Sequence, residues 1–405
     1  MKNFNKKNNT LNEVVIVGAM RTPIGDFMGS LKRFSAVELG IHALKAALNK
    51  AEIAPELIEE VVAGMGNMAG TKANPGRQIA IGAGCSIETV GATVNQQCAS
   101  SMRATEILYH EIALGKVSIG AAVGPESMTN SPFLLPGARM GYRMGNDNKV
   151  VDSMFCDGLI DVFNNCHMGI TAENLAKQYE ISREEQDELA LLSHQRACRA
   201  IEEGKFKEEI TPVEIKTKKG VALFDTDERP RPSITLESLA KLRPAFDREG
   251  SVTAGNASGL NDAGAALILM SAQKAEELGL KPLARIVATA SAAVDPKIMG
   301  IGVVPAVKRA LTFAGLTIDD IDYWEINEAF AAQFIAVNRE LNIDMDKVNK
   351  NGSGVSLGHP VSCTGARLIV SLLHEMRRSG NRFGCASLCA GGGPGTAIVV
   401  ERLDT

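Results

Sequence analysis

The sequence predicts an α/β fold built twice over, with a loop domain inserted between the halves. Three observations carry this. Short β-branched runs alternate with helix-patterned segments from Val14 to Val123, the same plan returns from about Ala306, and the stretch from Ser131 to about Gly259 breaks the rhythm. At 405 residues the chain exceeds one simple core and has room for two or three domains.

Taken in order, Val14 to Gly18 is a β-branched run followed by Arg21-Thr22-Pro23, a buried first strand and a turn. Ser35 with Glu38 three residues on is a capping-box pattern that opens a helix to about Ala51. After the Pro55 link comes a strand from Glu60 to Gly64, a Gly/Asn-rich loop to Gly76, and a helix from Gln78 to Gly84. The next strand delivers Cys98, a helix runs from Met102 to Gly115, and Val117 to Val123 is one more strand. Strand alternating with helix implies a mostly parallel sheet covered on both faces.

Sliding the sequence along itself exposes the duplication. Ala43 to Gly64 lies on Ala306 to Asn327 without a gap, and Ala43, Lys45, Ala47, Leu48, Ala51 and Ile58 meet identical residues. The pattern continues at nearly the same offset: Gln78 to Gly84 falls on the helix after Asn327, and the Cys98 corner falls on Gly358-His359-Pro360. Cys98 and His359 are thus expected at equivalent helix N-termini, facing each other if the halves pack about a pseudo-twofold axis. The expected division is 1–130 for the N-terminal half, completed by about 260–282, then 131–259 for the loop domain and 283–405 for the C-terminal half.

The loop domain holds a Gly/Met/Asn-rich stretch, Gly137 to Asn148, and helices from about Asp161 to Gln178 and from Ser182 to Glu203. Lys216 to Lys219 suits a solvated hairpin face. Arg229, Arg231 and Arg243 are candidate phosphate contacts, with solvated arginine as the alternative.

Charge is nearly balanced at net -4, with no basic stripe and no acidic tail, so nucleic acid is not an expected partner. No run approaches about 18 apolar residues, so no membrane span is expected. Met1 to Asn12, rich in Asn and Lys, is expected to be a disordered lead-in to a cytoplasmic protein. The eight cysteines contain no C-x-x-C pair and the six histidines no H-x-x-x-H spacing, which fits a reducing compartment and gives no sign of a metal site.

Three segments end their strands in reactive groups: Cys98, and, beside glycines, the His359 of Gly358-His359-Pro360 and the Cys389 of Cys389-Ala390-Gly391-Gly392-Gly393. Glycines at this density let a substrate approach the backbone and leave N–H groups for an oxyanion. At a strand-to-helix corner, free N–H groups and the helix dipole are expected to favour the Cys98 thiolate. Taken alone, Cys98 also fits a small buried hydrophobe. A phosphate loop is disfavoured, since neither G-x-x-x-x-G-K-[ST] nor G-x-G-x-x-G opens a helix after the first strand. Asn327, at the end of the strand Asp322 to Ile326, is expected to point its amide into the same crevice.

Four blocks together, Asn95 to Cys98, Asn327-Glu328-Ala329-Phe330, Gly358-His359-Pro360 and Cys389 to Gly393, resemble the thiolases, in particular the short-chain acetyl-CoA acetyltransferases. The likeness spans almost the whole chain and includes Arg21-Thr22-Pro23, His167 to Asn174 and Ala254 to Asp262. It implies a five-layered α/β/α/β/α core of two similar halves, with the loop domain holding coenzyme A. Cys98 is then the nucleophile that takes the acyl group, His359 accepts its proton, and Cys389 is the acid/base at the α-carbon. His359, with a water on Asn327, holds an enolate oxygen; the N–H groups of Cys98 and Gly391 hold the tetrahedral intermediate. Arg231, Ser238 and Ser258 match coenzyme A positions, and His167 and Met168 the acyl pocket, although Met168 also fits plain core packing.

The resemblance further implies acetyl-CoA, acetoacetyl-CoA and coenzyme A as substrates and products, no cofactor, and a homotetramer or homodimer. Two other readings are a 3-ketoacyl-CoA thiolase for longer or ring-bearing acyl groups and a non-catalytic acyl-CoA-binding subunit. The chain departs from the family where Ala99 and Ser101 replace the usual glycines of Cys-Gly-Ser-Gly, in Ser353-Gly354, in the extra thiol Cys363, and in Pro394. Ala and Ser adopt positive φ less readily than Gly, so a changed corner is expected at Cys98.

Overall fold

The computed structural model describes residues 11–145, 149–218 and 220–403. The expected lead-in, apart from Leu11 and Asn12, lies outside the described residues, as do Asn146 to Asn148 of the Gly/Met/Asn stretch and Lys219 of the lysine run.

The first half runs β1 (Val14–Arg21), β2 (Gly25–Asp26), α1 (Ala36–Lys50), β3 (Glu60–Gly64), α2 (Pro75–Ala83), β4 (Val90–Val94), α3 (Ser100–Ala113) and β5 (Ile119–Ser127). Ser35 closes the expected capping box with Glu38. Helix α2 starts three residues earlier than its apolar pattern suggests, because Pro75 sits in the first turn and the Asn74 side chain accepts from Arg77 N.

The intervening segment holds the strand pairs β6 (Phe133–Leu134) with β7 (Val151–Asp152) and β8 (Ile160–Asp161) with β9 (Cys166–His167), then α4 (Met168–Gln178) and α5 (Arg183–Glu202). The hairpin β10 (Val213–Thr217) and β11 (Gly220–Phe224) and the short α6 (Leu236–Ala240) follow. The helix expected from Asp161 begins only at Met168. The Asp161 carboxylate accepts from Phe163 N and Asn164 Nδ2, and Asn165 turns left-handed at φ 48°, so a polar turn takes the place of the first helical turns.

β12 (Asn261–Ser271) and α7 (Ala272–Glu277) complete the first half, and the second half runs β13 (Ala284–Ala293), α8 (Val303–Ala314), β14 (Tyr323–Ile326), α9 (Ala331–Leu341), α10 (Gly354–Leu357), α11 (Thr364–Ser379), β15 (Phe383–Cys389) and β16 (Pro394–Arg402).

The main sheet has the order β14-β15-β16-β13-β1-β12-β5-β3-β4, with β2 on β12. Outward from the β1/β13 junction, the order β12, β5, β3 on one side mirrors β16, β15, β14 on the other. Even the edge strand β4 has a counterpart, the parallel bridge of Val348 to Trp324. The expectation of a mostly parallel sheet is corrected: only β3/β4, β3/β5 and β14/β15 are parallel. Strand β16 returns from β15 through the tight turn Ala390 to Gly393, with Gly392 and Gly393 at φ 89° and 106°, and a reversal that short forces antiparallel pairing. Strand β12 also pairs antiparallel with β5, although the whole loop segment separates the two in sequence.

Alternation along the strands separates three cores. Ala263, Ala265, Leu267 and Leu269 of β12 and Ile398 and Val400 of β16 share an inner core with Met102 and Leu108 of α3 and Leu368 and Leu372 of α11. Ala266, Ile268 and Met270 turn outward to Leu44 and Leu48 of α1 and Ile79 of α2. Ala397 and Val399 turn outward to Val307 of α8 and Phe334 of α9. The layers are therefore α1/α2, sheet, α3/α11, sheet, α8/α9, the five-layered arrangement. Among the described residues, no helix is long and apolar enough to cross a membrane, and no three His, Cys, Asp or Glu are placed to hold a metal ion.

Candidate active site

Helices α3 and α11 lie in the middle layer, and their N-terminal approaches carry the reactive groups. At the Cys98 corner, Asn95 Oδ1 accepts from Gln97 N at 2.9 Å and its Nδ2 donates to Gly66 O at 2.9 Å. Ser100 Oγ accepts from Gln96 N and donates to Gln97 O. These bonds hold Gln97 left-handed at φ 50°. Ala99 is at φ -88° and Ser100 and Ser101 are already helical, so the replaced glycines impose no strain. The changed corner expected from Ala99 and Ser101 is corrected accordingly: the one positive φ falls on Gln97. Close packing behind the corner instead requires Gly64, where a Cβ would come within 2.1 Å of the Ser100 carbonyl carbon.

Burial decides the protonation state of Cys98. The Cys98 thiol is pushed up to about 11 by burial, although the N–H groups of Gly391 and of Cys98 itself pull the other way. The thiolate expected from the helix corner is thus not the resting form, because desolvation outweighs the two donors and a base must take the proton.

His359, the expected base, lines the same cavity. Gly358, at φ 105°, lies so close to Asn261 that a Cβ would clash, and Asn261 Oδ1 accepts from His359 N at 3.0 Å. His359 Nδ1 is 2.6 Å from Thr364 Oγ1 and 3.4 Å from the Asn327 amide nitrogen. Nε2 is buried without a hydrogen-bond partner. Burial, with the Arg367 charge, takes the imidazole down to about 3, so it rests neutral. Helix α3 starts two residues after Cys98 and α11 five after His359, so the two helix N-termini are equivalent but the two residues are not matched position for position.

Asn327 follows β14, is fully buried, and its Oδ1 is also without a partner. Its amide approaches the Nδ1 side of His359, and the residue sits behind the cavity wall instead of lining it as expected. Cys389 ends β15 and is 1% exposed. Burial drives its thiol far up, and the neighbouring Cys98 adds to this.

The cavity, about 340 Å³, is lined by Cys98, His359 and Gly391 together. Its walls include Met128, Leu159, Met168, Met299, Phe330 and Val361, with His167, Ser258 and Arg229 as the polar members. His167 is stacked on Phe246 at 4.4 Å, and burial lowers its pKa. Gly391 has no room for a Cβ without moving Met168 Cε, 2.6 Å away. Of the residues matched to coenzyme A, only Ser258 lines this cavity; Arg231 and Ser238 are exposed outside it. Ser238 belongs to a capping box with Thr235. Arg229, a phosphate candidate, donates to the carbonyls of Val355 and Ala257 and so braces the wall, while Arg243 is exposed. Sequence reasoning missed Gln97, Asn261, Phe246 and Thr364. Only Thr364 had a usable signal, as a hydroxyl one helical turn beyond Pro360.

The sequence model described as "Thiolase, N-terminal domain" matches residues 14–273, and that described as "Thiolase, C-terminal domain" matches 280–402. The acetyl-CoA acetyltransferase of Syntrophomonas wolfei is 52% identical over 96% of this chain and 99% of that protein. The acetyl-CoA acetyltransferase of Cupriavidus necator is 51% identical over 97% of this chain and all of that protein. Among solved structures, human mitochondrial 3-ketoacyl-CoA thiolase superposes with a TM-score of 0.95 at 40% identity, covering 97% of this chain and 100% of that one. With the duplicated five-layered core and the cysteine and histidine at its two middle helices, these matches establish that the chain belongs to the thiolase family.

Proposed function

We propose that this chain is an acetyl-CoA C-acetyltransferase that reversibly condenses two acetyl-CoA into acetoacetyl-CoA and coenzyme A. The observation that carries the reading is that Cys98, His359, whose Nε2 has no partner, and Gly391, whose N–H faces the Cys98 thiol, all line one mostly apolar cavity. Relatives at about 50% identity bear the name acetyl-CoA acetyltransferase, which favours this reading over a thiolase for longer acyl groups.

In the proposed sequence, His359 Nε2 takes the Cys98 proton as sulfur attacks the acetyl carbonyl. The N–H groups of Cys98 and Gly391 hold the oxyanion, each such donor being worth about 3 kcal/mol of barrier. Collapse expels the coenzyme A thiolate, which takes its proton from Cys389. A thiol held far above its ordinary range is protonated and available for this step. The Cys389 thiolate then removes the α-proton of the second acetyl-CoA. The enolate oxygen rests on the imidazolium at Nε2; the water that the family resemblance puts beside it would be held by Asn327, whose Oδ1 is without a partner but does not reach the cavity lining. Its carbon attacks the acetyl-Cys98 thioester, and the departing Cys98 sulfur recovers its proton from His359. Every proton and charge returns to its starting place, and the acyl-enzyme requires ping-pong kinetics.

His167 and Met168 shape the acyl end of the cavity in this reading, and Ser258, with Arg231 and Ser238 further out, meets coenzyme A. No cofactor takes part, since the thioesters are themselves substrates. Eight free cysteines fit a cytoplasmic setting. A homotetramer or homodimer rests on the family resemblance.

Thiolysis of acetoacetyl-CoA compared with 3-ketohexanoyl- and 3-ketodecanoyl-CoA tests the substrate. Higher kcat/KM for acetoacetyl-CoA is expected; a preference for the longer chains overturns the short-chain assignment.

A further inference from the structure

None of the steps above uses Glu126, yet this carboxylate stands where the two reactive segments join. Glu126 lies near the end of β5, is 1% exposed, and does not line the cavity. One of its oxygens, Oε2, accepts both Ser362 N at 3.0 Å and Ser362 Oγ at 2.6 Å. Ser362 lies three residues after His359 in the turn that enters α11. Its hydroxyl accepts in turn from Gly66 N, and Gly66 O accepts from Asn95 Nδ2. The other end of the Asn95 side chain holds the left-handed Gln97, next to Cys98. An unbroken series of bonds, buried at Glu126, Ser362 and Gly66 N and more open at Asn95, therefore runs from the base turn, across one carboxylate, to the nucleophile corner.

We propose that Glu126 is the positioning residue that keeps these two segments in register, holding Ser362 directly and, through Ser362, Gly66 and Asn95, the corner that carries Cys98.

The chemistry of the site gives this placement a second consequence. The charged and titratable groups facing Glu126 are Asp262 on β12, Cys363 before α11, and Cys98 at the start of α3. Burial lifts Glu126 to about 7, Asp262 adds to the lift, and the Ser362 and Ser127 bonds oppose it. As pH rises through that value Glu126 becomes negative, and its charge raises the Cys98 thiol further. The register helix to helix is thus maintained at some cost to thiolate formation above neutrality.

The consequence for turnover rests on the acyl-transfer reading; the consequence for the thiol does not. The test is alkylation of Cys98 by iodoacetamide from pH 5.5 to 9, which needs no acyl-CoA, together with steady-state kinetics. Glu126→Gln keeps an oxygen able to accept both Ser362 bonds and removes the charge. Its alkylation rate relative to wild type is expected near 1 below pH 6 and about threefold or more above pH 8. Glu126→Ala strands two donors, and its kcat is expected to fall about tenfold or more with little change in KM, the Gln variant recovering most of the loss. A ratio that does not change with pH in Glu126→Gln, or a folded Glu126→Ala with wild-type kcat, overturns the proposal. If Glu126→Ala does not fold, the Gln profile alone decides. Absence of any acetyl transfer in wild type counts against the proposed function and leaves the alkylation comparison intact.

Discussion

The Thr364 hydroxyl stands 2.6 Å from His359 Nδ1 and 3.0 Å from the Pro360 carbonyl oxygen. A hydroxyl has one proton. Given to the carbonyl, which can only accept, it leaves the Thr364 oxygen to accept from the ring at 2.6 Å, which outweighs the Asn327 amide nitrogen at 3.4 Å, so Nδ1 carries the imidazole hydrogen, makes no bond with that amide, and leaves the lone pair on Nε2. The tautomer that a base for Cys98 needs is therefore set from behind.

Removing that oxygen frees the tautomer without touching the cavity. Thr364→Val is expected to lower kcat about tenfold at nearly constant KM, and Thr364→Ser to restore it. Steady-state kinetics of the pair check this, and an unimpaired Val variant contradicts it.

The resting thiol and imidazole set the pH dependence of inactivation. With Cys98 pushed up to about 11 and His359 down to about 3, both are neutral across the physiological range. Alkylation of wild-type Cys98 without substrate is expected to climb up to about tenfold per unit through pH 8 to 10, less the drag from Glu126 near neutrality. A plateau near pH 7 argues for a preformed thiolate.

Ser101, where the family usually has glycine, accepts from Ala366 N at 2.8 Å and so caps α11, whose own N-cap residue Cys363 makes no side-chain cap bond. Ser101→Ala is expected to cost about 1 kcal/mol in urea unfolding. No loss of stability sinks the capping role.

Arg21 of the Arg-Thr-Pro run is structural. Its guanidinium pairs with Glu209 and Asp227, each at 2.7 Å, and all three side chains are fully buried. Arg21→Ala leaves two uncompensated carboxylates and is expected to destabilise by about 3–5 kcal/mol. Denaturant midpoints read this directly.

His194 on α5 makes the fold acid-sensitive. Burial, with the Arg229 and Arg231 charges, lowers it to about 4, while its Nδ1 accepts from Arg231 N. Between pH 4 and 6.5 the unfolded chain binds a proton the native state refuses, so its contribution is complete above 6.5 and is lost as pH falls toward 4. His194→Gln is expected to flatten the fall in Tm below pH 6.5, with the two curves parallel above pH 7. Identical slopes on the acid side contradict it.

What was legible in the sequence follows from what is local. The Ser35 capping box, the strand Glu60–Gly64 and the Ser182-capped α5 are set by neighbouring residues and stand where the pattern puts them. The duplication was visible because Ala43 to Gly64 and Ala306 to Asn327 pack the same way in each half. Strand direction was not legible, since a β-branched run reads alike in both senses: β12 takes its direction from long-range pairing with β5, and β16 from the turn at Gly392 and Gly393, which was read only as a part of the site. The Asp161 turn was hidden because Asx chemistry overrode an apolar helical period. At the site, His359 and Cys389 were marked by neighbouring glycines, and Cys98 by its place at a strand-to-helix corner. Thr364, Asn261 and Glu126 act through contacts across the fold, Glu126 on Ser362 being 236 positions away, and no local pattern encodes such a pair. The protonated state of Cys98 was likewise missed, because burial depth is a property of the packed layers.

The most direct test of the mechanism is to mix the protein with acetyl-CoA, quench in acid, and read intact mass and peptide maps. A single acetyl group on the Cys98 peptide, lost in Cys98→Ala and discharged on adding coenzyme A, is the expected result. A folded protein that carries no acetyl group on Cys98, or carries it on another residue, contradicts the assignment of Cys98 as the nucleophile.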